Sequence, residues 1–247
     1  MSASPDSRRV VAMGGGGFSM NDGFSPLDAL VLELARASAA RRGADDSSRP
    51  RVCFIGTAGG DAPSYVERFQ AAFDDVAETS HLGLFDRQVL DIDGFLGAQD
   101  AVYVGGGNTA NMLAIWRLHG VDTALRRAWE RGVVMAGISA GAICWFEAGT
   151  TDSFGPQLAG FRDGLGILPG SMSPHFDGEP LRRPLFHRLI GAGELPVGLA
   201  ADDGAALVFH GTTLGECVSE REPAACYRLT RAGDGAHEER LPVRRLS

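Results

Sequence analysis

A serine between two glycines follows an apolar run in the middle of the chain: Gly137, Ser139 and Gly141 come at the end of residues 133–138. This pattern is typical of a nucleophile elbow, a sharp turn from a strand into a helix that exposes the serine hydroxyl. The helix would begin at Ala140, and its first amides can stabilise the negative charge of an oxyanion. Because the same pattern also occurs in plain turns, other residues must supply the rest of the chemistry.

A serine hydroxyl needs a base, and the chain contains no lysine, so that base must be a histidine. His175 is the first candidate because segment 173–177 (SPHFD) lies between a strand pattern and a helix pattern, where a ring can reach a crevice. The remaining candidates are His81 in a short strand pattern, His187 in a helix pattern, His119 at a helix end, and His210 and His237 near turns.

A carboxylate that orients the histidine would complete a catalytic triad. Asp152, which follows the segment after the elbow, is our first choice. Glu147 and Asp177 are alternatives, since separation along the chain does not rank the three acids.

A glycine-rich segment, GGGNT at 105–109, follows the strand predicted at 101–104. Loops at the carboxyl ends of neighbouring strands meet in one crevice, so a glycine here can offer its N–H to a carbonyl held over the serine. A plain turn is the alternative. Asn108 is expected to hydrogen-bond either the substrate or its own loop. The other glycine run, residues 14–17, lacks the spacing that binds dinucleotides, so no cofactor is expected.

The composition narrows the class of protein. A net charge of −8 argues against a nucleic-acid surface. No apolar run approaches the roughly 20 residues that span a bilayer, and the polar N-terminus lacks the apolar segment of a signal peptide. We therefore expect a cytoplasmic protein that binds neither membrane nor nucleic acid. The cysteines show no paired spacing and are expected to be buried thiols rather than a zinc site, so no metal is predicted.

Strand and helix patterns alternate through most of the chain, which predicts an α/β fold with a mostly parallel sheet covered by helices on both faces. Ser25, Pro26 and Asp28 form the signature of a capped helix start. Short strand patterns after residue 197 predict additional antiparallel strands near the C-terminus. Segment 149–172 reads as loop, and 89–96 is unassigned. We predict one domain, 1–247, with residues 1–9 as a flexible lead.

Three of these segments together resemble a known family, the serine peptidases that include dipeptidase E and cyanophycinase. They are GGGNT at 105–109, GISAGA at 137–142 and PHF at 174–176, in the order of the family. The similarity continues to GLAADD at 198–203 and so covers most of the chain. It implies a flavodoxin-like three-layer sandwich related to class I glutamine amidotransferases.

The resemblance also implies roles for individual residues. Ser139 is the nucleophile, His175 is the general base and acid, and the N–H groups of Ala140 and Gly106 form the oxyanion hole. The family places its third catalytic acid close to position 154, which is a phenylalanine here, so Asp152 is the nearest match.

Members of the family that cleave after N-terminal aspartate hold the substrate carboxylate with an arginine. Arg182 falls near that place in this chain, with Arg183 beside it, and a solvated helix face is the alternative for both. The predicted activity is hydrolysis of small peptides through an acyl-enzyme, with N-terminal aspartate preferred. Relatives suggest a homodimer or a monomer.

Three alternatives stay open at this point. A cyanophycinase-like exopeptidase would use the same catalytic residues on β-linked Asp-Arg. An α/β-hydrolase esterase would share the elbow. A non-catalytic, amidotransferase-like binding domain would use the same crevice to sense a metabolite.

Overall fold

The computed structural model describes residues 7–45 and 48–247, and two β-sheets with flanking helices make up its architecture. The strands are β1 (Arg9–Met13), β2 (Arg51–Ile55), β3 (Glu78–His81), β4 (Ala101–Val104), β5 (Val134–Ile138), β6 (Phe146–Thr151), β7 (Ala159–Phe161), β8 (Leu168–Ser173), β9 (Gly198–Ala201), β10 (Ala205–His210), β11 (Thr213–Ser219), β12 (Cys226–Ala232), β13 (Gly235–Arg240) and β14 (Val243–Arg245). The helices are α1 (Gly17–Met20), α2 (Pro26–Arg41), α3 (Pro63–Phe73), α4 (Ile92–Gly97), α5 (Thr109–His119), α6 (Val121–Glu130), α7 (Ala140–Ile143) and α8 (Arg182–Gly191), and a 3-10 turn covers Thr57–Gly59.

The first sheet has eight strands in the order β14-β11-β10-β1-β5-β4-β2-β3. Its centre is parallel, because β1, β5, β4, β2 and β3 all run in the same direction. At one side, β10 and β11 add antiparallel strands from the C-terminal part of the chain. The predicted mostly parallel sheet with antiparallel C-terminal additions is therefore confirmed.

Helices cover both faces of this sheet, since alternate side chains of each strand point to opposite sides. On one face, Val11 and Met13 of β1 pack in a core with residues of α2 and α3. On the other face, Val10 and Ala12 join a core with residues of α5 and α6. The helical layers on the two faces are those that the sequence predicts.

A second sheet, which the sequence analysis does not anticipate, has six strands in the order β13-β12-β9-β8-β6-β7. Its strands β6, β7 and β8 occupy much of segment 149–172, which was expected to be loop. That prediction is wrong because these short strands, rich in Gly, Ser and Thr, carry little apolar periodicity and are specified by backbone pairing. The side chains of α8 pack against this sheet in a third core.

Several local predictions are confirmed. Ser25 caps α2, Pro26 occupies its first turn, and Asp28 closes a capping box with Ser25. The unassigned segment 89–96 contains most of α4. The predicted flexible lead lies mainly in residues 1–6, which are outside the described residues, whereas Arg9 already belongs to β1. The single-domain organisation stays a prediction.

All four cysteines are buried and form no disulfide, as expected. Among the described helices, none is long and apolar enough to cross a membrane.

The buried carboxyl of Asp28 makes stability depend on pH. Asp28 is fully buried, and this burial raises its pKa from the usual 3.8 to about 6. The folded state thus holds the proton more tightly than the unfolded chain does, so a stabilising contribution present below pH 3.8 is lost as the pH rises through about 6. By the usual conversion this loss is about 3 kcal/mol.

We expect Asp28→Asn, which keeps an acceptor for the Ser25 N–H, to match the wild type near pH 4 and to be more stable at pH 7. Urea unfolding measured between pH 4 and pH 8 tests this, with Glu33→Gln on the exposed side of α2 as control. A difference between Asp28→Asn and wild type that does not change with pH would contradict the assignment.

Candidate active site

Ser139 is the single residue between the end of β5 and the first residue of α7. Its backbone has φ 55° and ψ −112°, a combination that residues other than glycine rarely adopt. Its side chain is partly exposed although its neighbours Ile138 and Ala140 are buried. The predicted strand-to-helix elbow is present, and it lifts the hydroxyl out of the core.

The elbow fits because its glycines allow backbone segments to touch. A Cβ on Gly141 would lie 2.3 Å from the carbonyl oxygen of Val104 in β4, and one on Gly137 would lie 2.1 Å from the carbonyl of Gly141. The Ser139 N–H donates to the carbonyl of Met13 at the end of β1. Ser139 is thereby tied to both strands that flank β5.

His175 lies two residues beyond β8 and carries the second strained backbone of the site, with φ 49°. Its Nδ1 is 2.5 Å from Oδ1 of Asp203, which lies two residues beyond β9. The strands β8 and β9 are parallel neighbours, so their carboxyl ends bring the imidazole and the carboxylate together. A carboxylate at Nδ1 fixes the tautomer in which Nε2 can accept a proton.

The glycine run after β1 lies beneath this pair. The carbonyl of Gly14 accepts the N–H of His175. Gly15 forms a bridge with Asp203, and a Cβ on Gly15 would lie 2.0 Å from the Asp203 carboxylate. The run that lacks a dinucleotide fingerprint therefore provides the space in which the imidazole–carboxylate pair packs.

The structure corrects the prediction of the third acid. The side chain of Asp152 is exposed at the end of β6, where the adjacent Ser153 contacts the start of α5 rather than His175. Glu147 is also exposed and accepts the N–H of Gly170. Neither acid is a partner of the imidazole.

Asp177, the remaining alternative, contacts Asp203 rather than His175. Its Oδ1 accepts the backbone N–H of Asp203, and its Oδ2 is 2.6 Å from Nη2 of Arg221. Asp177 therefore braces the residue that contacts His175.

The sequence carries a signal for Asp203. The acid pair Asp202 and Asp203 directly follows a short strand pattern within a segment already matched to the family. The structure separates the two, because Asp202 accepts hydrogen bonds from the Ala225 N–H and the Tyr227 hydroxyl. Only the pairing of β8 with β9 reveals which acid faces His175.

Ser139 and His175 open into the same cleft, which has a volume of about 360 Å³. The described residues that line it are Ser19, Met20, Tyr65, Arg68, Gly106, Gly107, Ile138, Ser139 and His175. This volume is at the small end of the range for ligand sites, roughly 300–1,000 Å³.

The two predicted oxyanion donors differ in whether the N–H group already has an acceptor in the protein. Ala140 is the first residue of α7, where a helical N–H has no partner within its own helix. Gly106 lies beside Ser139, but its N–H already donates to the Tyr65 hydroxyl over 3.1 Å. The Gly106 carbonyl faces Gly59, whose added Cβ would lie 3.6 Å from it. Within the described residues the Gly107 N–H has no acceptor.

Both predicted substrate-binding residues are occupied by protein contacts. Arg182 is buried, and its guanidinium donates to the carbonyl of Thr150 and pairs with Glu179. Asn108 caps α5 by accepting the N–H of Asn111 and donates to the carbonyl of Ser153. Arg182 is thus a structural residue, and Asn108 has the loop-bracing role. The orientation of a helix and the burial of its side chains decide these roles, and neither can be read from the sequence.

The described residues contain no group of three or more His, Cys, Asp or Glu side chains arranged to hold a metal ion.

The chain is similar to known peptidases in sequence and in fold. An uncharacterized peptidase, YgaJ, from Bacillus subtilis (strain 168) is 46% identical over 240 residues, which cover 97% of this chain and 99% of the relative. A crystal structure of a peptidase from an acI-B1 Actinobacterium matches with a TM-score of 0.73 at 17% identity, covering 96% of this chain and 94% of the other.

A second solved structure, a putative peptidase E protein from Listeria monocytogenes EGD-e, has a TM-score of 0.56 at 16% identity and covers 95% of this chain and 99% of its own. At these identities the two structures show a shared fold. The model of peptidase family S51 matches residues 10–217. With the elbow serine and the imidazole–carboxylate pair in one cleft, the chain belongs to peptidase family S51 and is a serine-type peptidase.

Proposed function

We propose that this peptidase is a dipeptidase that hydrolyses small peptides through an acyl-enzyme on Ser139 and prefers aspartate at the first position. The observation that carries the proposal is the 2.5 Å contact between His175 and Asp203 at the cleft that Ser139 also lines. A cleft of about 360 Å³ suits a dipeptide or the end of a short chain.

In the proposed mechanism, Nε2 of His175 removes the proton of the Ser139 hydroxyl as the oxygen attacks the scissile carbonyl. Asp203 holds the proton on Nδ1 and stabilises the imidazolium that forms. The imidazolium then gives its proton to the leaving amine, and the acyl-enzyme ester remains. Water, activated by the same imidazole, hydrolyses the ester and restores Ser139.

The oxyanion of the tetrahedral intermediate needs two donors near Ser139. We assign the N–H groups of Ala140 and Gly107 to this role, in place of Gly106. In a trans peptide the carbonyl of one residue and the N–H of the next point in opposite directions. Because the Gly106 carbonyl faces Gly59, outside the cleft, the Gly107 N–H is directed to the cleft side.

Arg68 supports the preference for an acidic substrate. It is the one arginine among the described residues that line the cleft. Its Nη2 donates to the carbonyls of Phe18 and Ser19, each at 3.0 Å, which fixes the guanidinium in place. Nε and Nη1 keep N–H groups that these carbonyls do not use, so either can donate a charged hydrogen bond to a carboxylate.

The proposal also places the enzyme in the cytoplasm, where the four reduced cysteines would persist.

Replacement of the nucleophile tests the reaction itself. We expect Ser139→Ala to reduce hydrolysis to background while the thermal unfolding midpoint stays close to that of the wild type, because alanine retains the backbone and Cβ. Liberated amino acids are measured over a panel that contains Asp-Leu, Asn-Leu, Ala-Leu and β-Asp-Arg. A fluorophosphonate probe should label the wild type only. Retained turnover in Ser139→Ala rejects the peptidase mechanism, and an inert wild-type serine favours a binding domain.

The orienting acid is tested by a matched pair of substitutions. We expect Asp203→Asn to lower kcat by about 10³–10⁴-fold, the loss known for a triad whose histidine is held in the wrong tautomer. Asp152→Asn, the control on an exposed acid, should change kcat by less than about twofold, as expected for a surface site. Steady-state kinetics on the best dipeptide decide between them. Equal losses in the two variants would return Asp152 to the triad.

The role of Arg68 is tested by measuring Arg68→Ala on two substrates, Asp-Leu and Asn-Leu, which differ in the side-chain carboxylate. Loss of a charged hydrogen-bond partner costs about 1.5–3 kcal/mol, so Arg68→Ala should lower kcat/KM for Asp-Leu by about 10- to 100-fold. The value for Asn-Leu should change little, and Arg36→Ala on the exposed face of α2 serves as control. Asp-Leu amide shows whether the side-chain or the terminal carboxylate is bound. Equal losses on Asp-Leu and Asn-Leu would exclude Arg68 from recognition.

A further inference from the structure

The hydroxyl of Tyr65 is bonded to the loop beside the nucleophile. Tyr65 lies in the first turn of α3 and lines the cleft. Its oxygen accepts the N–H of Gly106 at 3.1 Å and lies 2.6 Å from the hydroxyl oxygen of Ser19 in α1. The ring is held independently, since it packs edge-on against Phe54 with ring centroids 5.0 Å apart.

The chemistry of the donor fixes the direction of the bond to Gly106. The Gly106 N–H can only donate, so the Tyr65 oxygen accepts there, whereas either hydroxyl can donate in the bond between Tyr65 and Ser19. Burial raises the pKa of Tyr65 above its usual 10, so the hydroxyl keeps its hydrogen through the neutral range. The Tyr65 hydroxyl is therefore held by two protein partners.

We propose that Tyr65 is a positioning residue for the oxyanion hole: its hydroxyl fixes the 105–106 peptide, on which the following 106–107 peptide turns, so that the next N–H, that of Gly107, faces Ser139. This inference rests on the proposed function, because it assumes that the Gly107 N–H stabilises an oxyanion. Tyr65 itself contacts neither the reacting carbonyl nor the nucleophile.

The loop needs a restraint because residues 105–107 are all glycine, the residue with the widest range of backbone conformations. We call the hydrogen bond from the Gly106 N–H to the Tyr65 hydroxyl the tether. Rotation of the 106–107 peptide would turn the Gly107 N–H away from Ser139 while leaving the fold intact. Two contacts restrain the chain on either side of the Gly106 Cα, namely the Tyr65 hydroxyl at the N–H of the 105–106 peptide and the turn at Gly59 beside the carbonyl of the 106–107 peptide. Removal of the hydroxyl leaves only the second.

Tyr65→Phe keeps the ring and removes the tether. Loss of a complete oxyanion donor costs about 10²–10³-fold in kcat, so a donor that is present but loosely held should cost about 10-fold. We expect kcat to fall about 10-fold with KM unchanged, and phosphonylation of Ser139 by a fluorophosphonate to slow in the same proportion. Tyr103→Phe, which removes a hydroxyl from the same aromatic cluster away from the loop, is the control for stability and activity.

Ser19→Ala provides a second variant in case Tyr65→Phe folds poorly. It removes the second hydrogen-bond partner of the Tyr65 hydroxyl and keeps the bond to Gly106, so kcat should fall in the same direction by a smaller factor. Unchanged kcat in both variants overturns the inference. A raised KM with unchanged kcat also overturns it, since that result indicates substrate contact rather than positioning.

Amide hydrogen exchange measured by NMR separates this inference from the proposed function. The Gly106 N–H should exchange slowly in the wild type and much faster in Tyr65→Phe, whether or not any peptide is hydrolysed. If that difference appears in a protein without peptidase activity, the tether stands and the proposed function fails. Equal exchange in the two proteins rejects the tether even when the wild type is active.

Discussion

The backbone of Ser139 is the constraint on which the site depends. A φ of 55° at a residue other than glycine costs of order 1–3 kcal/mol and persists only where the surroundings enforce it. Here the enforcement is close packing: β5 is enclosed between β1 and β4, and Gly141 lies against the carbonyl of Val104 with no room for a side chain. A turn with standard geometry would leave the hydroxyl within this packed layer rather than at the cleft.

The groups proposed as base and orienting acid come from the other sheet. His175 follows β8 and Asp203 follows β9, adjacent parallel strands of the six-stranded sheet, whereas Ser139 follows a strand of the eight-stranded sheet. The two sheets meet at the glycines after β1, where Gly14 bonds to His175 and Gly15 touches Asp203. The position of the base relative to the nucleophile is thus set by this junction between sheets.

The sequence predicts the parts of the structure that are encoded locally. The alternation of strands and helices, the capping box of α2 and the elbow at Ser139 each depend on residues a few positions apart. Asp203 is not among the predicted acids, and Arg182 is predicted to bind substrate, because the contacts with His175 and with the Thr150 carbonyl that decide these roles join residues far apart in the chain. Strand β8 lacks an apolar pattern, so its pairing with β9 was not foreseen, and a long side chain such as Arg182 can turn inwards or outwards from the same helix position.

The charge that Arg68 brings to the cleft is opposite in sign to the net charge of the molecule. The chain carries a net charge of −8, which repels an anionic peptide at long range. Screening limits that repulsion to about 8 Å at physiological salt, so the groups in the cleft decide binding. The acids nearest the imidazole already have protein partners, since Asp203 is hydrogen-bonded to His175 and Asp177 pairs with Arg221, whereas Arg68 has no acidic partner among the described residues. A carboxylate that enters the cleft therefore meets an uncompensated positive charge, and its selection depends on that local charge rather than on attraction by the whole surface.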